Sequence, residues 1–180
     1  MTDYFALFQE ARRPWLDPDK LKEKYFDRAR EAAADAELNE AFRILGDPKL
    51  RLQHLLLLEG VDLRERREIP AALAELFWNT GTLLREFDRW RLRNANAHSA
   101  LARAILRGER AKLEHRLKEH EAKLKAAFES ELHRLQTLSA ADWPNELEKL
   151  IQLHDSIAYL TRLRDQVKEK RLQLNNETAE

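Results

Sequence analysis

Apolar positions recur at intervals of three and four residues along almost the whole chain, the spacing that lines one side of an α-helix. The sharpest such pattern is Leu38, Ala41, Phe42 and Leu45, which predicts a helix that stops at Gly46-Asp47-Pro48. Gly46 suits the left-handed conformation that ends helices, and Asp47 can cap the next helix. Pro48 fits the first turn of that helix, where its missing N–H would be unpaired anyway. The prediction is helix, tight corner, helix. Before this corner, Asp3 to Phe8 reads as a short helix with Tyr4, Leu7 and Phe8 on one side. Arg13-Pro14-Trp15-Leu16 breaks it, and Asp17-Pro18-Asp19 caps a longer helix that turns Leu21, Tyr25, Phe26 and Ala29 inward. After the corner, Leu50, Leu52, Leu55, Leu56 and Leu58 cover more than one helical face, with His54 and Glu59 as polar relief up to Gly60. A helix apolar on several sides belongs between two layers, and this one reads as the hinge of the molecule.

Residues 64–68 form a charged link, and Pro70 fits the first turn of a new helix. From there Leu73, Leu76, Leu83, Phe87, Trp90, Ala97, Leu101 and Ile105 form an inward stripe that Gly108 is expected to end. A second stripe runs through Leu113, Leu117, His120, Leu124, Ala127, Phe128, Leu135 and Leu138. Ser139 to Pro144 makes the next corner, with Asp142 or Trp143 pushed out of helical geometry by the proline. The last helix carries Leu147, Leu150, Leu153, Ile157, Leu160 and Val167, and the polar tail from Asn175 is expected to fray. Three long helices with short connections predict an antiparallel bundle. The fold class is therefore all-α: a small helical domain over residues 1–62, a linker over 63–72, a three-helix bundle over 73–174 and a tail over 175–180.

Composition narrows the function more than the fold. The chain has 180 residues, enough for one or two small domains with a divided core, and only four glycines and five prolines against 36% charged residues. Its formal net charge is zero, so no global field draws it to nucleic acid or an acidic membrane. Having no cysteine, it can form neither a disulfide nor a thiolate nucleophile, a composition that fits the reducing cytosol. The longest apolar runs, such as Leu55 to Leu58, are too short to span a bilayer, and no basic segment followed by an apolar one opens the chain. The expectation is a soluble, cytoplasmic protein.

No catalytic constellation stands out, and the expectation is a non-enzyme without cofactor or metal. His54, His98, His115, His120, His133 and His154 lack the Glu-x-x-His spacing of bundle metal sites, and read as surface or interface residues. Arg85, Arg89, Arg91, Arg93, Arg103, Arg107, Arg110 and Arg116 make the middle of the chain arginine-rich. They could serve phosphates, but no aromatic platform for bases accompanies them, and a solvated helix face is the preferred reading. Lys20, Lys24, Arg28 and Arg30 on the second helix are likewise interleaved with Glu23, Asp27 and Glu31, as on an ordinary solvated face.

The spelling of the corner adds a family. Asn39-x-Ala41-Phe42-x-x-Leu45-x-Asp47-Pro48-x-x-Arg51 resembles the junction of the third and fourth helices of J-domains, the modules that stimulate heat-shock-70-class ATPases. Arg51-x-x-His54-Leu55-Leu56-x-Leu58-x-Gly60-Val61-Asp62 is similar to one branch of that family, the HscB-type co-chaperones of iron-sulfur cluster assembly, in which a helical bundle follows. The resemblance implies that basic residues of the second helix, here Lys20, Lys24, Arg28 and Arg30, dock on the ATPase. It also implies a His-Pro-Asp trigger before the third helix, and the ungapped alignment on Tyr25 brings Ala33, Ala34 and Asp35 there. Histidine and proline are missing, and Asp35 reads as a helix cap. An unmodified stimulation of the ATPase is therefore not expected. In the family the bundle holds a scaffold protein through an apolar patch flanked by carboxylates on its first helix and an aromatic on its last. The resemblance places Phe77 and Trp78 on that patch, Gly81 where a larger residue is usual, Thr82 and Arg85 in place of the acids, and Tyr159 as the aromatic. Phe77 and Trp78 lie off the inward stripe, so at least one is expected to face solvent. The leading expectation is a degenerate co-chaperone that grips a protein client or iron-sulfur scaffold. The alternatives are a structural or self-associating helical protein and, further off, nucleic-acid binding through the arginines.

Overall fold

A computed structural model describes residues 2–31, 36–61, 63, 70–140 and 143–177. Ala33, Ala34, Asp35, the charged link 64–68 and Asp142 lie outside the described residues. Seven α-helices are described: α1 Tyr4–Leu7, α2 Pro18–Glu31, α3 Ala36–Gly46, α4 Pro48–Leu58, α5 Ala74–Ala95, α6 Ala100–Ala140 and α7 Leu147–Asn176. Short 3₁₀ turns over Ala71–Leu73 and Trp143–Glu146 precede α5 and α7, and no strand occurs among the described residues. The fold is all-α, as the periodicity predicts.

The contacts divide the chain into two compact units, Met1–Glu68 with Ser130–Ala158, and Ile69–Glu129 with Tyr159–Glu180. The first unit takes in the end of α6 and the beginning of α7, residues that a linear reading assigns to the bundle.

Within the first unit α3 packs against α1, α2 and α4. Leu38, Ala41 and Leu45 are its buried face, and Phe42 stacks on Tyr25 of α2 with ring centroids 4.3 Å apart. The Tyr25 hydroxyl donates to Asn39 Oδ1 at 2.7 Å, tying α2 to α3. Two expected faces are corrected. On α1 the fully buried residues are Phe5 and Phe8, while Tyr4 and Leu7 are half-buried. The turn after α1 carries Gln9 at φ 51°, and a helix of four residues offers too few positions for periodicity to fix its buried face. On α2, Leu21 is buried but Phe26 is 48% exposed, because Tyr25 already occupies the space against Phe42.

The corner itself is made differently from expectation. Gly46 stays helical and does not adopt a positive φ. Asp47 makes the turn with extended backbone (φ −90°, ψ 121°), and its carboxylate accepts the Leu50 N–H at 2.9 Å, with Pro48 opening the first turn of α4. The extended aspartate before proline is enough to break the helix, since proline excludes the helical conformation from the residue before it. The left-handed glycine is Gly60 (φ 79°), past the end of α4. Leu52, Leu55 and Leu56 are fully buried on α4, and each such side chain contributes about 1.5–3 kcal/mol. Arg51 and His54 are buried among them.

The second unit contains α5 and portions of α6 and α7. Thr80 meets His120, Trp90 meets the Leu106 carbonyl, and Arg93 pairs with Glu109, so α5 and α6 run antiparallel. Arg110 reaches the Leu174 carbonyl, and Arg171 pairs with Glu121, so α7 runs against α6 too. Phe87, Leu117, Leu124, Leu160, Val167 and Leu174 are fully buried in this core. One boundary is corrected: the first bundle helix ends at Ala95, not at Gly108. Ser99 caps α6, its hydroxyl accepting the Ala102 N–H at 3.1 Å, and α6 runs straight through Gly108. A helical glycine costs about 1 kcal/mol relative to alanine, too little to stop a helix packed along its length. Leu101 and Ile105, expected inward, are consequently exposed, and Leu106 is the buried residue of that turn.

Candidate functional site

The outer side of α5 is where the expected partner-binding residues gather. Thr80, Leu83, Phe87 and Trp90 form its buried side. Trp78, two residues from Thr80 and so well round the helix from it, is 68% exposed; Phe77 is 38% exposed. Phe77 leans towards α7, where its ring meets half-buried Tyr159 at a centroid distance of 5.9 Å and a tilt of 53°. Burial holds the Tyr159 hydroxyl above its ordinary pKa, with Arg162 opposing, so this ring is neutral at physiological pH. Gly81 leaves open the space beside its backbone, where a methyl group would lie 3.4 Å from Arg85 Nη1. The Arg85 guanidinium is held there by donating from Nη2 to the Thr82 hydroxyl at 3.1 Å. The structure thus brings Phe77 to Tyr159 and Gly81 and Thr82 to Arg85.

Behind this face lies a buried polar pair. The Thr80 hydroxyl donates to the Leu76 carbonyl at 2.7 Å, which leaves its oxygen to accept from His120 Nε2–H at 2.7 Å. Burial lowers the His120 pKa, the nearby Lys123 charge lowers it further, and the histidine is neutral at pH 7. His120 therefore fastens α6 to the turn of α5 that presents Phe77 and Trp78. Sequence reading placed it on the inward stripe, but the threonine forty residues away left no local signal.

His54 is the other buried histidine; the reading of the six as surface or interface residues is corrected for these two, of which only His120 also fell on an inward stripe. Its Nε2 accepts the Tyr4 N–H at 3.2 Å, and its ring lies 4.8 Å from Tyr4 and 5.8 Å from Phe5. Burial lowers its pKa, Asp3 partly offsets this, and Arg12 adds to it. Among the described residues no group of histidines and carboxylates is placed to hold a metal ion.

Most of the docking residues on α2, and half of the eight arginines of the middle stretch, have ionic or ring partners within the chain. On α2, Lys24 pairs with Glu10 at 2.5 Å, Arg30 with Asp27 at 3.5 Å, and Arg28 lies 6.0 Å above the Phe8 ring; Lys20 is exposed. Burial tends to raise the Glu10 pKa, but Lys24 and Arg13 outweigh it and hold the carboxyl below its ordinary value. In the arginine-rich middle, Arg91 pairs with Glu177, Arg93 with Glu109, Arg110 with Glu114 and Arg116 with Glu86. Cations already matched by carboxylates offer little to a phosphate backbone.

Beyond its place in the motif, nothing in the local pattern singles out Arg51. It is 2% exposed, donates from Nε to the Pro14 carbonyl at 2.9 Å and from Nη1 to the Leu45 carbonyl at 2.6 Å, and lies 5.8 Å from the Trp15 ring. Burial lowers its pKa to about 10, against a small opposing effect of Asp47, so it stays charged at pH 7. A cation at the last carbonyls of α3 complements the helix dipole and replaces the missing left-handed cap. The loop it grips continues to Trp15, whose N–H donates to Ser139 Oγ at 3.0 Å.

No protein-family model and no curated protein matches this chain. Among solved structures it is similar to the chaperone HscB from Vibrio cholerae, with a TM-score of 0.61 and 18% identity over 96% of this chain and 99% of that one. The fold is HscB-type. The human co-chaperone HscB is similar too, with a TM-score of 0.55 and 19% identity over 96% of this chain and 84% of that one. At these identities the likeness to HscB speaks for the fold, and what the exposed face of α5 does must be argued from its own residues.

Proposed function

We propose that this chain is an HscB-like co-chaperone adaptor that holds a protein client or iron-sulfur scaffold through Phe77, Trp78, Gly81, Arg85 and Tyr159, has no chemistry of its own, and works in the cytoplasm. The observation that carries this reading is Trp78, 68% exposed on a helix of an HscB-type fold, next to a Phe77 that is braced on Tyr159. Large aromatics left in water mark contact surfaces. Stimulation of a heat-shock-70-class ATPase is lost or impaired. In support, alanines stand at 33 and 34 in place of histidine and proline, and of the docking residues Lys20, Lys24, Arg28 and Arg30 all but Lys20 already have partners within the chain. No helix among the described residues is long and apolar enough to cross a membrane.

Two measurements test the two halves. Added to a heat-shock-70-class ATPase, the purified protein should leave turnover at its basal rate; substantial stimulation would overturn the loss. Affinity capture with the full chain should recover a protein partner that Phe77→Ala and Trp78→Ala both release. A second reading, self-association, is favoured by Leu92, Leu101, Ile105 and Leu172, all exposed in the second unit. Sedimentation as a dimer that survives Trp78→Ala would support it instead.

A further inference from the structure

Resting on the reading that α5 grips a protein partner, we infer that the partner presents carboxylates: an amphipathic helical segment with apolar residues near its ends and Asp or Glu between them.

Trp78, Arg85 and Leu92 are seven residues apart in turn, and all three are exposed. Seven residues are nearly two full helical turns, so the three side chains leave α5 on one line about 21 Å long. Arg89 is exposed one turn beyond Arg85. The line is therefore apolar at both ends and cationic in the middle.

What distinguishes these two cations from the other arginines of α5 is that no described carboxylate neutralises them. Arg91 and Arg93, on the same helix, pair with Glu177 and Glu109. The acids nearest Arg85 and Arg89 in sequence are taken: Glu86 by Arg116 and Asp88 by Lys170. Arg85 and Arg89 form no ion pair with a described residue. Arg85 is also held in place, with Nη1 over the space that Gly81 leaves and Nη2 on the Thr82 hydroxyl. Thr82 uses one of the five guanidinium donors, so most remain for a second acceptor. A guanidinium fixed before binding loses little rotamer freedom when a carboxylate arrives, and its planar fork matches that group better than any neutral one. A partner with lysines at this position would meet two uncompensated charges of its own sign.

The test pans a displayed library of random helical peptides of about five turns, matching that line, against the immobilised full chain, with the Trp78→Ala chain as counter-selection. The mutated positions are exposed, and circular dichroism confirms that each variant keeps its helix content. Trp78-dependent peptides should be enriched in Asp and Glu at central positions, bind roughly tenfold more weakly to Arg85→Ala, and give way to Lys- and Arg-bearing peptides when Arg85→Glu and Arg89→Glu are combined. Trp78-dependent peptides that are neutral or basic against the unaltered chain would overturn the acidic partner while leaving the gripping function in place. No Trp78-dependent peptide at all would overturn both. A chain that sediments as a dimer dissociated by Trp78→Ala would show a second copy on this face, and would overturn the acidic segment as well.

Discussion

The α3–α4 corner and the outer face of α5 each combine an arginine, a tryptophan and small or turn-forming residues, yet their polar groups are spent in opposite ways. At the corner Arg51 is buried, its donors on the carbonyls of Pro14 and Leu45, while Asp47 is consumed by the Leu50 N–H and His54 by that of Tyr4. On α5 the Arg85 guanidinium has one threonine hydroxyl, and Trp78 stands in water. A buried donor or acceptor without a partner costs about 1–3 kcal/mol, whereas an exposed one costs nearly nothing because water replaces the partner. The corner therefore cannot be altered without loss of stability. The face of α5 is free to be specified by something other than folding.

Mutation should separate the two most sharply at the arginines. Arg51→Met keeps the apolar stem but leaves the Pro14 and Leu45 carbonyls without their donor, and should lower stability by about 2–4 kcal/mol in urea denaturation. A change within experimental error would mean that the corner does not depend on its internal hydrogen bonds.

The next effect is expected from acid. His54 and His120 have folded-state pKa values below their ordinary value of 6.5, so the unfolded chain binds protons more readily than the folded one. Their contribution to stability is complete above that value and declines as pH falls below it, at up to about 1.4 kcal/mol per pH unit for each histidine. Denaturation midpoints measured from pH 7.5 to 5 should follow that fall, and His54→Gln should flatten it. A midpoint that rises on acidification would contradict the neutral assignments.

Smallest of all should be Trp78→Ala and Arg85→Ala, which are expected to shift unfolding by no more than about 0.5 kcal/mol, the ordinary range for surface positions. A loss of several kcal/mol from Trp78→Ala would show that this ring supports the fold and is not held ready for a partner.

Periodicity revealed the helices and most of their buried faces, because burial along four or five turns leaves a pattern that no single residue can erase. Ends were harder, since one or two hydrogen bonds decide them. The stripe through Trp90, Ala97, Leu101 and Ile105 ran on across the true break, although Asn94, Asn96 and Ser99, poor helix formers with a capping serine, carried the signal for it. The short α1 offered too few positions to fix its register, and a left-handed Gln9, at about 1 kcal/mol of strain, is not something a sequence announces. At the corner the stop is legible in Asp47 and Pro48, whereas Gly46 is helical and the left-handed conformation expected of it is absent. The pairings of Arg51 with Pro14 and of His120 with Thr80 span 37 and 40 residues, and only the folded chain brings them together. On α5, by contrast, exposure followed from Phe77 and Trp78 standing off the stripe, and both do face solvent.

Apart from the backbone of its own helix and its chain neighbours, no described atom lies within 4 Å of where a methyl group on Gly108 would sit, inside the 41-residue α6. Alanine would be accepted there without displacing anything, and should add about 1 kcal/mol by reducing the freedom of the unfolded chain. The protein thus holds a latent reserve of heat resistance that a single methyl group would release, a convenient starting point for anyone who wants a sturdier version for crystallisation.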